Sequence, residues 1–171
     1  IAARGASEFA RQDFIDAGLH EWGGKMQTDI TDGTRAALAK YAIDPSRVCI
    51  YGVSYGAYAA LMGVATEPGL FKCAVGYAGV YSLGLIRNET ALQNTAYGRD
   101  FVNDVFKNDP AWLRARSPAN LAAQIKAPVM LMMRPCLPFI IPRMTARDSR
   151  NTPDRLVSST ALQSSSLMRM A

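Results

Sequence analysis

One five-residue stretch, Gly52-Val53-Ser54-Tyr55-Gly56, constrains this chain more than any other feature. It follows a β-prone run, Arg47-Val48-Cys49-Ile50-Tyr51, and leads into an alanine-rich helical segment, Tyr55 to Ala65. A G-x-S-x-G between a strand and a helix demands a sharp turn that lifts the serine above the strand's end. The turn holds Ser54 in a strained backbone conformation. Gly52 and Gly56 are expected to leave room there, since a Cβ at either place would crowd the turn. Ala57, Ala59 and Ala60 let the helix pack closely on a sheet. At the helix N-terminus, the Tyr55 N–H points to where an oxyanion would form, and helix polarity adds to its stabilisation. Ser54 is therefore the candidate catalytic nucleophile and Tyr55 the candidate oxyanion donor. Phosphate-binding loops are excluded, because the glycines have the wrong spacing for G-x-G-x-x-G and no Gly-Lys-Ser/Thr follows.

Around the motif, residues 1 to 133 alternate helix-like and strand-like segments, which predicts a parallel sheet covered by helices. Ser7 through Ala17 reads as a short helix. Met26 to Tyr41 reads as a longer one, with Ile30, Ala36, Ala37 and Leu38 near helical spacing. Asp44-Pro45 marks a turn. Arg47 to Tyr51 and Cys73 to Tyr77 are expected as buried strands. Ser117-Pro118 reads as an N-cap followed by proline at the first helical position, and Ala127 to Met133 as a third strand.

Composition removes several function classes. The net charge is +5, but residues 1 to 133 carry 13 Lys+Arg against 12 Asp+Glu, so the basicity belongs to the tail and no nucleic-acid module is indicated. The longest apolar run falls short of the roughly 18 residues that a membrane span requires, so no membrane partner is expected. One histidine and three scattered cysteines make neither a metal site nor a disulfide framework, and no cofactor is indicated. Cys49 and Cys73 lie in apolar runs and read as buried thiols acting as small hydrophobes. The chain opens on Ile1 without a leader pattern, so its true beginning is expected upstream, and the compartment stays open between cytoplasm and periplasm or secretion.

At residue 134 the composition changes. All 13 glycines precede it, and the last 38 residues hold six Arg, six Ser and four Pro but no Gly, Lys, Glu or Tyr. Residues 134 to 171 read either as a flexible Arg/Ser-rich tail or as a non-native continuation such as follows a reading-frame slip. The second reading is preferred, since Arg, Ser and Pro have many GC-rich codons. The segment is expected to pack poorly, and the sheet to end at Met133.

A longer series of residues stands at familiar spacings: Arg4-Gly5-Ala6-Ser7, Asp16-Ala17-Gly18, Glu21-Trp22-Gly23-Gly24-Lys25-Met26-Gln27, and Asp29-Ile30-Thr31-Asp32-Gly33. Asp44-Pro45, Tyr51 to Gly56, Tyr58-Ala59-Ala60-Leu61-Met62, Cys73-Ala74-Val75, Ala78-Gly79-Val80, Ser117-Pro118 and Ile125 to Val129 continue it. Over residues 1 to 133 the chain resembles the catalytic domain of the prolyl oligopeptidase family of serine peptidases, especially its acylaminoacyl-peptidase and dipeptidyl-peptidase-like bacterial members. The resemblance implies a partial α/β-hydrolase fold: part of a doubly wound, mostly parallel sheet flanked by helices, with the serine turn near the sheet's centre. It implies Ser54 as nucleophile, Tyr55 as one oxyanion donor, a second donor from a Tyr upstream of Ile1, and short peptides as substrates admitted past a β-propeller that this chain does not contain. Glycine usually occupies the place of Ala57, a small departure.

The large departure follows Met133. The family's strand there continues into His-Gly, an acidic residue that orients the base, and, further on, the catalytic His. Here the chain reads Arg134-Pro135-Cys136-Leu137-Pro138-Phe139-Ile140-Ile141-Pro142, and no His follows Ser54. The triad acid and His are therefore assigned to no residue. His20 precedes the nucleophile, whereas this fold uses the order Ser, acid, His, and it reads as a loop or partly buried His. Asp148 and Asp154 read as solvated charges, Asp29 and Asp32 as solvent-facing or capping residues of a helix, and Trp22 as a packing residue. The expected function is serine-type peptide hydrolysis in an incomplete domain. The alternatives are an esterase or other acyl hydrolase of the same fold, or an inactive fragment.

Overall fold

The computed structural model describes residues 12–89, 91–132 and 156–158. Four strands make one parallel sheet: β1 (Cys49–Val53), β2 (Cys73–Tyr77), β3 (Val129–Met132) and β4 (Leu156–Ser158), in the order β1-β2-β3-β4. The register pairs Cys49 with Cys73, Gly52 with Gly76, and Val129 with Leu156. The helices are α1 (Gln12–Ala17), α2 (Lys25–Lys40), α3 (Tyr55–Thr66), α4 (Leu83–Glu89), α5 (Ala96–Val105) and α6 (Pro110–Ala115). Short 3-10 turns cover Pro45–Arg47, Ala91–Asn94 and Pro118–Gln124.

Helix α3 lies on the sheet because its small residues permit close approach. Ala57, Ala60, Leu61 and Val64 meet Ile50, Ala74 and Val129 in one core cluster. A second cluster joins the other side of α3, through Tyr58, Ala59 and Met62, to Leu83, Val102, Phe106 and Leu113. Helix α3 is therefore buried on nearly every side, which explains its mainly apolar sequence.

Several expectations need correction. β1 and β2 are not fully buried: residues alternate, with Ile50, Gly52, Ala74 and Gly76 under α3 and Cys49, Tyr51 and Val53 on the opposite face. Tyr51 is 57% and Val53 46% exposed. Among the described residues, α3 connects β1 to β2 and packs on one face of the sheet, and α4 to α6, on the way from β2 to β3, pack against α3 from beyond it. Among the described residues β1 is an edge strand rather than a central one. The sheet does not end with β3, since β4 pairs along its outer edge. Of the Arg/Ser-rich segment only Leu156–Ser158 is described. Leu137, Phe139, Ile140, Ile141, Asp148 and Asp154 lie outside the described residues.

Helix α2 also differs in what it buries. Its buried residues are Gln27, Thr31 and Thr34, while of the expected apolar set Ile30 packs against both core clusters, Ala37 and Leu38 are half-buried and Ala36 is exposed. The threonine hydroxyls are satisfied locally, Thr31 donating to the Gln27 carbonyl (3.1 Å) and Thr34 to that of Ile30 (2.8 Å), so short polar side chains can sit inside at little cost. Ser117 precedes its turn as expected, yet its hydroxyl makes no cap. It donates to the Leu113 carbonyl (2.6 Å) and accepts from the Leu83 N–H (2.9 Å), linking α6 to α4.

Cys49 and Cys73 are bonded as a disulfide with Cα atoms 4.7 Å apart, correcting the reading of two buried thiols. Both side chains lie on the face that α3 does not cover, and parallel register sets them directly opposite each other. The apolar runs around them concealed that every second residue faces away from the core.

Candidate active site

Ser54 stands alone between β1 and α3, with φ 55° and ψ −117°. This backbone region is strained for any residue with a Cβ. Three hydrogen bonds hold it there: its N–H donates to the Tyr77 carbonyl across the strand pair (3.0 Å), and its carbonyl accepts from the Ala57 N–H (3.1 Å) and the Tyr58 N–H (3.2 Å). The residue is exposed, and its side chain makes no cap hydrogen bond to the helix it precedes. The Tyr55 N–H belongs to the first helical turn, whose amides have no intrahelical acceptor.

The two motif glycines do different jobs. A Cβ on Gly52 would lie 2.1 Å from the backbone of Gly56, so the first glycine is required by the tightness of the turn. A Cβ on Gly56 would meet nothing within 4 Å. The expectation that both positions are crowded is corrected: Gly56 contributes its backbone, not its missing side chain. Ala57 is fully buried, and its Cβ fills the space beside Gly76 and Gly79.

Behind the turn lies an aromatic cluster. The Trp22 ring is 4.6 Å from Tyr55, 4.9 Å from Tyr58 and 5.0 Å from Phe106, centroid to centroid. Burial, with a smaller contribution from the Asp29 carboxylate, pushes the Tyr55 hydroxyl up to about 12. It stays protonated at neutral pH and can donate a hydrogen bond but cannot act as a base.

The turn that carries Trp22 is pinned from a distance. Arg116 donates from Nη1 to the His20 carbonyl (2.9 Å), its own carbonyl accepts from the Tyr58 hydroxyl (2.9 Å), and its guanidinium lies 4.7 Å from the Trp112 ring centroid. His20 and Gly23 both adopt positive φ, 59° and 68°, and a Cβ on Gly23 would come within 2.6 Å of the Tyr58 hydroxyl oxygen. Sequence reasoning took Trp22 as a packing residue but did not connect it to Ser54 or to Arg116. The only available signal was the Trp22-Gly23-Gly24 string, where glycines beside a tryptophan mark a tight turn under a large ring.

The half-buried His20 has no hydrogen bond from its ring to Ser54 among the described residues, and its Nδ1 is buried without a partner there. Asp29 and Asp32 are exposed on α2, and Asp32 pairs with Arg35 at 3.6 Å. An apolar recess between α2 and β1, lined by Ile30, Leu38, Ile43, Val48 and Phe71, contains none of the motif residues.

A serine in a strained strand–helix turn, over a helix packed on a parallel sheet, is a nucleophile elbow in form. Residues 1–133 match the family model of the prolyl oligopeptidase family. The chain belongs to the prolyl oligopeptidase family. It is 34% identical over 136 residues to dipeptidyl aminopeptidase BIII of Pseudoxanthomonas mexicana, which covers 75% of this chain and 19% of that protein. It is 28% identical over 134 residues to dipeptidyl peptidase family member 6 of Caenorhabditis elegans, covering 75% of this chain and 18% of the relative. Among solved structures, uncomplexed acylaminoacyl peptidase of Pyrococcus horikoshii superposes with a TM-score of 0.62 at 26% identity, covering 72% of this chain and 20% of the other. A puromycin-hydrolyzing peptidase of Mycobacterium tuberculosis shares the fold, with a TM-score of 0.61 at 21% identity over 70% of this chain and 18% of the other. The chain thus spans about a fifth of the length of the relatives it matches. The family match ends where the Arg/Ser-rich composition begins, and the fold is that of a prolyl oligopeptidase α/β-hydrolase domain.

Proposed function

We propose that Ser54 is the nucleophile of serine-type peptide hydrolysis. The observation that carries this is its strained φ of 55° at the turn into α3, with the hydroxyl unused as a helix cap. Oγ attacks the scissile carbonyl and the oxyanion accepts from the Tyr55 N–H. Collapse expels the amine, and water then releases the acyl group from the serine. Peptides are the proposed substrate class, consistent with the dipeptidyl aminopeptidase and acylaminoacyl peptidase relatives. The propeller and remaining catalytic segments of a longer protein are the proposed intramolecular partners.

The triad acid and base are assigned to no residue of this chain. A serine hydroxyl without a general base is almost wholly protonated at neutral pH, and the leaving amine lacks a proton donor. The chain of 171 residues is therefore expected to cleave peptide p-nitroanilides at least ~10³-fold more slowly than a relative that carries the base. Slow labelling of Ser54 by a fluorophosphonate is expected, absent in Ser54→Ala. Turnover at ordinary peptidase rates, abolished by Ser54→Ala, would reveal a base within these residues, and His20→Ala would test the one histidine. Measuring p-nitrophenyl esters alongside the anilides separates peptidase from esterase, since both use the same elbow.

A further inference from the structure

The strand that leads into Ser54 is tied to its neighbour β2 at both ends. Among the described residues β1 pairs with β2 alone. At its far end the Ser54 N–H donates to the Tyr77 carbonyl, and at its near end Cys49 is bonded to Cys73. The covalent loop runs from residue 49 to 73 and encloses the whole turn and helix α3. Cys49 is exposed and Cys73 partly so, on the face that α3 does not cover.

We infer that the Cys49–Cys73 disulfide is a reducible staple on the Ser54 strand, through which the surrounding thiol–disulfide balance sets how firmly the turn is held. This inference stands apart from any catalytic role of Ser54. The parallel register already places the two Cα atoms 4.7 Å apart, inside the range a disulfide spans, so neither state requires the strands to move. Reduction therefore leaves the fold's shape intact. What it removes is the limit on the unfolded chain and on partial opening, in which β1 separates from β2.

The chemistry is a two-electron exchange. In formation, the two cysteine thiols lose two protons and two electrons and the S–S bond forms, while a disulfide-bonded oxidant becomes two thiols. In the reverse direction a thiolate of a dithiol reductant attacks the exposed Cys49 sulfur. Cys73 leaves as a thiolate and takes up a proton. The reductant's second thiol then displaces Cys49 and closes the reductant's own disulfide.

Thiol counting on the denatured chain, after incubation with oxidised glutathione, should find one free thiol of the three cysteines, Cys136, and three after dithiothreitol. Non-reducing peptide mapping should join residue 49 to 73. Reduction should lower Tm by about 10 °C for a loop of this size. It should also speed hydrogen exchange of the β1 and Ser54 amides roughly tenfold or more. Cys136→Ser should keep the whole response, and the double variant Cys49→Ser/Cys73→Ser should behave as the reduced protein and ignore dithiothreitol. Three free thiols in the oxidised protein, a bond to Cys136, an unchanged Tm or unchanged exchange at Ser54 would each overturn the proposal. The thiol count and the map need no variant, so a poorly folding double variant does not remove the test.

Discussion

Gly52 and Gly56 look equivalent in the motif, yet the turn treats them differently. The position of Gly52 is filled by the backbone of Gly56, only 2.1 Å from where a Cβ would sit, and backbone cannot swing aside as a side chain can. Gly52→Ala should cost at least ~3 kcal/mol and leave little folded protein. Gly56→Ala enters open space inside a helix and should fall within about 1 kcal/mol of the parent, on the stabilising side. Urea titration of both variants checks the contrast. Equal losses would mean that the turn is looser at Gly52, or tighter at Gly56, than the structure has it. Ser54 itself carries the strain of the turn, and its three backbone hydrogen bonds to Tyr77, Ala57 and Tyr58 hold that strain in place.

At the scale of elements, α4 and α5 are joined by one buried cation. Arg87 on α4 donates to the carbonyls of Phe106 (3.0 Å) and Val102 (3.3 Å) and to the side chains of Asn103 (3.2 Å) and Asn108 (3.3 Å). It supplies a donor to the Phe106 carbonyl at the C-terminal end of α5 and a second donor to the Val102 carbonyl, which already accepts from the Phe106 N–H, and a positive charge is favoured at this helix end. Arg87→Met keeps the apolar stem but removes every donor, and should cost about 2–3 kcal/mol. Lys at this position keeps the charge but not the planar fork, so Arg87→Lys should recover only part of the loss. Thermal melts of both variants measure it, and a Met variant as stable as the parent would show that water replaces the guanidinium. Sequence reading missed this element pair altogether. Nothing local in residues 83 to 105 says that an arginine will be buried; only the packing of α4 on the end of α5 does so.

Across the whole molecule, three tyrosine hydroxyls share one electrostatic fate. Burial pushes Tyr55 and Tyr81 up to about 12, and Tyr58 higher still. A phenol whose pKa rises on folding favours the native state while it remains neutral. The stabilisation is complete below the unfolded value near 10 and is lost as pH climbs through the folded values. Stability should therefore fall between pH 10 and 12, in step with tyrosinate absorbance at 295 nm. Tyr55→Phe should weaken that dependence. A flat stability curve over this interval would show the hydroxyls to be solvated. The Tyr55 and Tyr58 rings meet Trp22, so alkaline loosening should start beside the Ser54 turn.

Local rules made the Ser54 turn legible in the sequence. Two glycines about a serine, a β-prone run before it and alanines after it leave few backbone paths, and the observed φ of 55° is the path expected. Strand β2 appeared at Cys73–Tyr77 as read, and β1 and β3 within two residues of their expected starts. The wider series of motifs carried the family, because it spread over most of residues 1 to 133 rather than one pentapeptide. Tertiary structure alone decided that Cys49 meets Cys73, that Arg116 reaches His20 from 96 residues away, and that the hydroxyls of Thr31 and Thr34 are buried. Such pairings depend on strand register and on how closely α2, α3 and α6 approach one another. Those are set by the summed packing of distant side chains, and no short window of sequence contains that sum.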